Sequence, residues 1–413
     1  MSLERPALRL GFIALNDCAP LAVAREKGFF AAEGLEVELS REASWANIRD
    51  KVAMGALDGA HMLAPLALAM GLGLSGEQTR VIAPLSLNLN GSAITVSTPL
   101  AELMRELDPE GMAARPRTAR PLARAVADRQ ARGLPPLTFA VVFPFSVHNY
   151  ELRYWMAEAG IDPDRDVRLV VTPPARMTAR LASGEIDGFC VGAPWNALSV
   201  ELGQGEIMIY AAELWRVGPD KVFGLTEAWA QRHPQTLTAV LRALIRSAAW
   251  ADEPGHRAEL AAMLAHPRYV DVPEAVVARA LGSPPYVQGL NGTDSRDHIV
   301  FHRYAAGFPW RSHAVWFLSQ MLRWGQIGPE IDIAAAAEAT YRPDLFRRAA
   351  ADLGAAAPIV DEKVEGLHAA PWTLDEATAP IAMAPDVFFD GRRFDAAQPQ
   401  RYAAGFEISR FKG

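Results

Sequence analysis

The sequence predicts an α/β protein of two lobes, each built on an open, largely parallel sheet with helices on its faces. Three observations predict it. From Leu8 to Ala64 short apolar runs alternate with polar loops and helical stretches, in the order strand, helix, strand, helix, strand. The alternation resumes at residue 137, and each copy carries a turn with Asp-Gly before an apolar strand: Ala56-Leu57-Asp58-Gly59-Ala60 and Gly184-Glu185-Ile186-Asp187-Gly188. At 413 residues, the chain is also too long for one compact core. Open sheets of this kind hold ligands outside the carboxyl ends of their strands, so the loops after each strand are where a site is sought.

The elements follow in order. Leu10–Leu15 is a buried strand whose exit, Asn16-Asp17-Cys18-Ala19-Pro20, leads into a helix over Leu21–Phe30. Leu35–Leu39 is the second strand, and Glu42-Ala43-Ser44-Trp45-Ala46-Asn47 places an indole in the loop behind it. Asp58-Gly59-Ala60-His61 is read as a turn into the apolar run that follows. Val81–Leu85 and Ala93–Ser97 read as a strand pair joined by the polar turn Asn88-Leu89-Asn90-Gly91-Ser92, since Asn and Gly both tolerate positive φ. Pro99–Pro136 begins helical and acidic; from Arg115 on, six arginines (115, 117, 120, 124, 129 and 132) stand against the single acid Asp128, and they read first as a solvated face and second as a docking face for an acidic partner. Leu137–Phe143 is a strand, Pro144–Asn149 its exit loop, and Tyr150–Gly160 an amphipathic helix that Asn149 can cap. A strand at Val167–Thr172, a helix at Met177–Ser183 and a strand through Cys190-Val191-Gly192 complete the second copy. Ile207–Ala211 is expected to return the chain to the first lobe, where Lys221–Leu225 is a short strand. Helical pattern fills Gln231–Ala265 and Tyr304–Gly325, the stretch between them is broken by Pro273, Pro284 and Pro285, and the proline-rich tail from Pro358 reads as a wrap over the lobes. The expected division is lobe one, 1–97 and 213–413, and lobe two, 98–212.

Composition narrows the function. Half of the residues are hydrophobic, enough for a sizeable core, and a net charge of −7 argues against binding nucleic acid or an anionic membrane surface. Two cysteines, Cys18 and Cys190, make no disulfide framework and read as small buried residues. The most apolar run, Met62–Leu74, is interrupted by Pro65, Gly71 and Gly73 and is too short for a membrane span. Taking Met1 as the native start, no signal peptide precedes the first strand, and a cytoplasmic location is expected. There is no Ser/His/Asp order, HExxH, metal-spaced Cys/His cluster or phosphate-binding glycine loop, so neither an enzyme nor a cofactor or metal is expected.

Several runs, taken in order and spacing, resemble a known family. They are Leu10–Leu15 with Ala19-Pro20, Glu26-Lys27-Gly28-Phe29-Phe30, Ala43-Ser44-Trp45, Asp58-Gly59-Ala60-His61, Arg153-Tyr154-Trp155, Gly160-Ile161-Asp162-Pro163, Phe189–Gly192 with Pro194-Trp195-Asn196, Ser312-His313 with Trp316–Gln320, and Phe388-Phe389-Asp390-Gly391. The chain resembles the substrate-binding proteins of nitrate and bicarbonate ABC transporters, the NrtA/CmpA type. That resemblance implies a two-lobed, periplasmic-binding-protein-like (type II) fold with a ligand cleft between the lobes. Carried over by motif, the pocket falls on Trp45, Ser92, His148, Val191, Gly192 and Lys221. Ser92 stands where nitrate-binding members have a glutamine. Lys221 stands where bicarbonate binders place an acid that helps to hold a metal, which favours nitrate or nitrite.

The chemistry of these residue types agrees. A planar monoanion needs several donors converging on it and a cation to offset its lost hydration. Lys221 is expected to supply the charge, His148 and Ser92 hydrogen bonds, the chain at Val191 and Gly192 backbone N–H groups, and Trp45 a donor or a flat wall. With a cytoplasmic location, the resemblance points to the NasS-type branch: a nitrate/nitrite sensor that holds an RNA-binding antiterminator of the NasT (ANTAR) type and releases it on binding anion. The alternative is the solute-binding component of a nitrate or bicarbonate transporter.

Overall fold

The computed structural model of the chain describes residues 2–282 and 295–413; Pro284 and Pro285 lie outside them. In chain order the strands are β1 (Ala7–Ile13), β2 (Glu36–Glu42), β3 (Gly59–Leu63), β4 (Val81–Ser86), β5 (Leu89–Asn90), β6 (Ser92–Ser97), β7 (Thr138–Val141), β8 (Arg168–Val171), β9 (Gly188–Gly192), β10 (Gly205–Tyr210), β11 (Lys221–Thr226), β12 (Ile299–Val300), β13 (Trp372–Leu374) and β14 (Ile381–Met383).

Two five-stranded sheets carry the molecule, ordered β2-β1-β3-β11-β4 and β10-β6-β9-β7-β8. Read from its β8 end, the second repeats the first. In each, a central strand pairs in parallel with its two neighbours, β1 with β2 and β3, β7 with β8 and β9. In each, the next strand is antiparallel and comes from elsewhere in the chain: β11 beside β3, β6 beside β9. The two-lobed α/β fold expected from the repeated pattern is the fold found.

Residue chemistry explains the strand positions. β3 (GAHML) and β9 (GFCVG) are buried at every residue, as central strands covered on both faces must be. β2 (EVELSRE) sits at an edge and leaves Glu36, Glu38 and Arg41 in solvent, charges that discourage edge-to-edge pairing.

Three expectations about connectivity need correction. β4 and β6 are not a pair, because β4 stands in the first sheet and β6 in the second. The crossing between lobes therefore lies before Ser92 rather than at residue 97. Ile207–Ala211 does not return the chain either: β10 pairs antiparallel with β6, and the return runs through the stretch before β11.

The two crossings lie against each other. Asn90 N–H donates to Gly218 O (2.8 Å), Gly218 N–H to Asn90 Oδ1 (3.1 Å), and the Asn90 amide to Arg216 O (2.9 Å) and Asp297 O (2.8 Å). Asn90 and Gly91 have φ of 60° and 93°, the left-handed conformations foreseen for this turn. A β-carbon on Gly91 would stand 2.9 Å from Ile299 Cδ1, so the turn needs glycine for space as well as for φ.

The two helices that aim site residues start earlier than expected. Ser44 Oγ accepts from Asn47 N–H, so Trp45 opens the helix Trp45–Ala53 instead of lying in a loop. Ser146 Oγ accepts from Asn149 N–H at 3.1 Å; Ser146, not Asn149, is the cap of helix Val147–Glu158, and His148 falls in its first turn.

The tail packs against the body of the protein. Phe388 stacks on Trp215 at 4.5 Å, the Tyr154 hydroxyl donates to Asp390 Oδ2 at 2.8 Å, and the Arg410 guanidinium grips Asp162 and Asp164 of the second lobe. Five of the six arginines in 115–132 are engaged locally: Arg120 with Asp108, Arg132 with Asp128, Arg117 with Glu206, and Arg115 and Arg129 with backbone carbonyls. That arrangement is the internally satisfied face of a folded segment. No helix among the described residues is long and apolar enough to cross a membrane.

Candidate functional site

The carboxyl ends of β1 and β3, with the amino end of antiparallel β11, lie opposite the carboxyl ends of β7 and β9. Two hydrogen bonds join the lobes there: Asn16 N–H to Ala193 O at 2.8 Å, and Trp195 Nε1–H to Ala14 O at 3.0 Å. Tyr150 of the second lobe also donates to Gln326 Oε1 at 2.7 Å. Trp195, one of the residues that carries the family resemblance, thus latches one lobe to the other.

At the centre is Asp17, on the turn after β1 and about 1% exposed. His61, in the middle of β3, accepts the Ile13 N–H at its Nδ1 (3.3 Å), which leaves the ring proton on Nε2, 2.8 Å from Asp17 Oδ1. His61 is therefore a strand residue holding a loop carboxylate, where a turn residue was expected. Lys221, the first residue of β11, donates from Nζ to Asp17 Oδ2 at 2.8 Å and to Asp220 Oδ1 at 2.5 Å. Its Nζ stands 5.7 Å from the centre of the Trp45 ring, and that ring meets His61 edge-on at 5.3 Å.

The second lobe closes on the same point. A β-carbon built on Gly192 would lie 3.2 Å from Asp17 Oδ2 and 3.6 Å from His148 Nε2. Gly192 thus keeps open a gap bounded by one carboxylate oxygen from the first lobe and one imidazole nitrogen from the second. Ser92 is opposite Gly192 in the β6–β9 register, and Val191 opposite Ala93; the Val191 side chain goes into the apolar core. Ser92 Oγ donates to Glu151 Oε2 at 2.5 Å, and the Cys190 thiol lies 3.6 Å from the same oxygen. Trp45, Lys221, His148 and Gly192 are therefore brought together, the Val191 side chain lies in the core, and Ser92 is occupied by a neighbour.

The Lys221 expectation is corrected by its surroundings. Its ammonium is not an unmatched cation, because two carboxylates already flank it. Burial works against that charge, but Asp17 and Asp220 outweigh burial and raise its pKa. Burial pushes the Asp17 carboxyl up, yet Lys221 and His61 hold it well below the usual range. Asp220, against the same ammonium but facing Asp17, is pushed up by burial to about 6. Two of the three ammonium protons have acceptors, and the third is left for a ligand. His148 is driven well below its usual pKa by burial and then by Lys221, so it is a neutral ring with one donor and one acceptor nitrogen.

Besides Asp17 Oδ1 and His61 Nε2, which face each other at 2.8 Å, five buried polar atoms here have no hydrogen-bond partner in the protein: Asn16 Nδ2 and Oδ1, Trp45 Nε1, and both His148 nitrogens. A buried donor left unpaired costs about 1–3 kcal/mol. The arrangement can therefore accept a small, flat, polar ligand rich in acceptors. Among the described residues, no group of three His, Cys, Asp or Glu side chains is placed to hold a metal. Sequence reasoning missed Asn16, Asp17, Glu151 and Asp220. The available signals were the polar pair Asn16-Asp17 set between apolar residues, and Glu151 one helical turn beyond His148.

Comparison with known proteins adds the lineage. A model of the NMT1-like family matches residues 2–265. The nitrate/nitrite binding protein NrtA of Synechococcus elongatus is 33% identical over 99% of this chain and 88% of its own. The nitrate import ATP-binding protein NrtC of Synechocystis is 37% identical over 85% of this chain, which spans about half (51%) of that longer protein. The crystal structure of the periplasmic nitrate-binding protein NrtA from Synechocystis superposes with a TM-score of 0.84 at 29% identity, covering 99% of this chain and 100% of that one.

Proposed function

The chain belongs to the NMT1-like family, in its NrtA/CmpA group of ABC-transporter substrate-binding proteins, and on that premise we propose that it binds nitrate or nitrite in the cleft between its lobes. The observation that carries this reading is the set of donors without protein partners, Trp45 Nε1, Asn16 Nδ2 and His148, on the segments around Lys221, Asp17 and Gly192. A planar oxyanion presents several acceptors in one plane and matches such a set; Gly192 leaves the room for it. Because Lys221 is flanked by Asp17 and Asp220, the site attracts an anion by hydrogen bonds more than by net charge. Its selectivity rests on shape and donor placement. Ligand-free protein titrated with nitrate or nitrite is expected to bind one anion per chain, and bicarbonate is expected to give no heat. Tight binding of bicarbonate with no response to nitrate would overturn the assignment.

The finer reading is a sensor. Residues of both lobes contribute to the pocket, so an anion that contacts both favours the closed arrangement by its differential affinity, and closure becomes a two-state signal. We infer a partner of the NasT-type antiterminator class, held by the anion-free form and released on closure. Co-purification of the two proteins with and without nitrate tests it. Association lost on adding nitrate supports the sensor. Absence of association in both conditions favours the second reading, a solute-binding component of an importer, which the names of the transport relatives favour.

A further inference from the structure

The hydroxyl that the family pattern places in the pocket is already occupied. Ser92 Oγ donates to Glu151 Oε2 at 2.5 Å, and the carboxyl of Glu151 stands between Ser92 at the start of β6 and Cys190 on β9. Glu151 lies three residues beyond His148 on helix Val147–Glu158, so the two side chains share one face of that helix. His148 is fully buried, whereas Glu151 keeps partial exposure, and among the described residues its Oε1 makes no hydrogen bond and no cation stands within ion-pair distance of it. A carboxyl placed this way, against the Ser92 that pairs with Gly192, is compatible with a bound anion only with its proton on.

We propose that Glu151 is a specificity-determining residue of this site: as the neutral acid it donates from Oε1 to the bound anion in place of the occupied Ser92 hydroxyl, and anion binding therefore requires a proton on Glu151. The inference rests on the anion-binding reading above. The groups that face Glu151 agree with it. Burial, with Asp220 adding to it against the Ser92 hydrogen bond and the more distant Lys221, pushes its carboxyl up to about 8. Cys190 is pushed far above its usual value by burial and by Glu151 itself, His148 and His61 are pushed down, and Lys221 is pushed up. Asp220 is pushed up by burial to about 6, and Asp17 is held low by Lys221 and His61. Among these groups, Glu151 is the one that changes charge between pH 7 and about 9. An anion beside a carboxylate is repelled, and an acid offered to it is a short, strong donor.

The test is nitrate affinity as a function of pH, measured by calorimetry on the full chain and on Glu151→Gln, which keeps an N–H donor and cannot titrate. The chain itself is expected to lose affinity above about pH 8, approaching about tenfold per pH unit for a one-proton requirement. E151Q is expected to bind with an unchanged affinity from pH 7 to 9, overtaking the unsubstituted chain at the alkaline end. Glu151→Ala, lacking the donor, is expected to bind more weakly at every pH. Equal pH profiles for the chain and E151Q, or full affinity in E151A at pH 7, would overturn the role of Glu151 while leaving anion binding intact. Failure of both the chain and E151Q to bind nitrate or nitrite at pH 6.5 would instead sink the anion reading, and this role with it.

Discussion

Replacing Lys221 by methionine separates what this residue does for the fold from what it does for a ligand. Its Nζ lies 2.8 Å from Asp17 and 2.5 Å from Asp220, and all three side chains are at most 2% exposed. Methionine keeps most of the volume and removes the charge, leaving two buried carboxylates with no cation between them. Breaking a buried ion pair from one side costs about 3–5 kcal/mol. Relief comes by protonation. Asp17, no longer held low by the ammonium, and Asp220, already raised to about 6, both bind protons more tightly in the variant. A folded-state pKa raised above its unfolded value gives stability present at low pH and lost as pH rises. The deficit of K221M should therefore be larger at pH 8 than at pH 5. Urea unfolding at both values, beside a K221M/D17N double variant that removes one stranded carboxylate, measures it. A loss below about 1 kcal/mol, equal at both pH values, would refute the argument that the triad is a coupled buried unit.

Three further outcomes follow from single contacts. Gly192→Ala sets a methyl 3.2 Å from Asp17 Oδ2 and 3.6 Å from His148 Nε2, so nitrate affinity should drop by about tenfold or more while stability falls by no more than an overpacked site costs, about 1–3 kcal/mol; titration and thermal unfolding distinguish the two. Ser146→Ala removes the cap of the helix that carries His148 and Glu151, and should cost about 1 kcal/mol in urea unfolding. Glu151, raised from 4.5 to about 8, gives stability that is lost as pH rises through that window, so the gap between E151Q and the unsubstituted chain should shift in favour of E151Q from pH 5 to pH 8, visible in melting temperatures.

Periodicity and turn chemistry carried much of the architecture. The apolar run of β9, the Asp-Gly steps before β3 and β9 and the Asn90-Gly91 turn are local signals; β3, which carries His61, starts at Gly59, inside the stretch expected to be a turn. Strand partnership is not local. Val81–Leu85 and Ala93–Ser97 read as a hairpin because a polar turn joins them, yet hydrogen bonds to residues more than a hundred positions away turn that segment into a crossing between lobes. The site divides the same way. Trp45, His148, Gly192 and Lys221 were legible as types suited to an oxyanion. The charge balance was not, because Asp17 reaches Lys221 across 204 residues of sequence, and only the folded sheet brings them together. Ser92 was legible as a shortened donor, but its engagement with Glu151 depends on how the helix from Val147 lies against β6.

The central claim is that donors from both lobes hold one small oxyanion around Lys221. Trp45→Phe tests it most directly, since phenylalanine keeps an aromatic ring, though a smaller one, beside His61 and removes the Nε1 donor, which has no partner in the protein. Calorimetric titration of nitrate and nitrite into ligand-free chain and W45F is predicted to show one site in both, weakened in W45F by about 1–2 kcal/mol, roughly tenfold, for the lost hydrogen bond to an anion. Equal affinity in the two proteins, or no heat with either anion, would contradict the account.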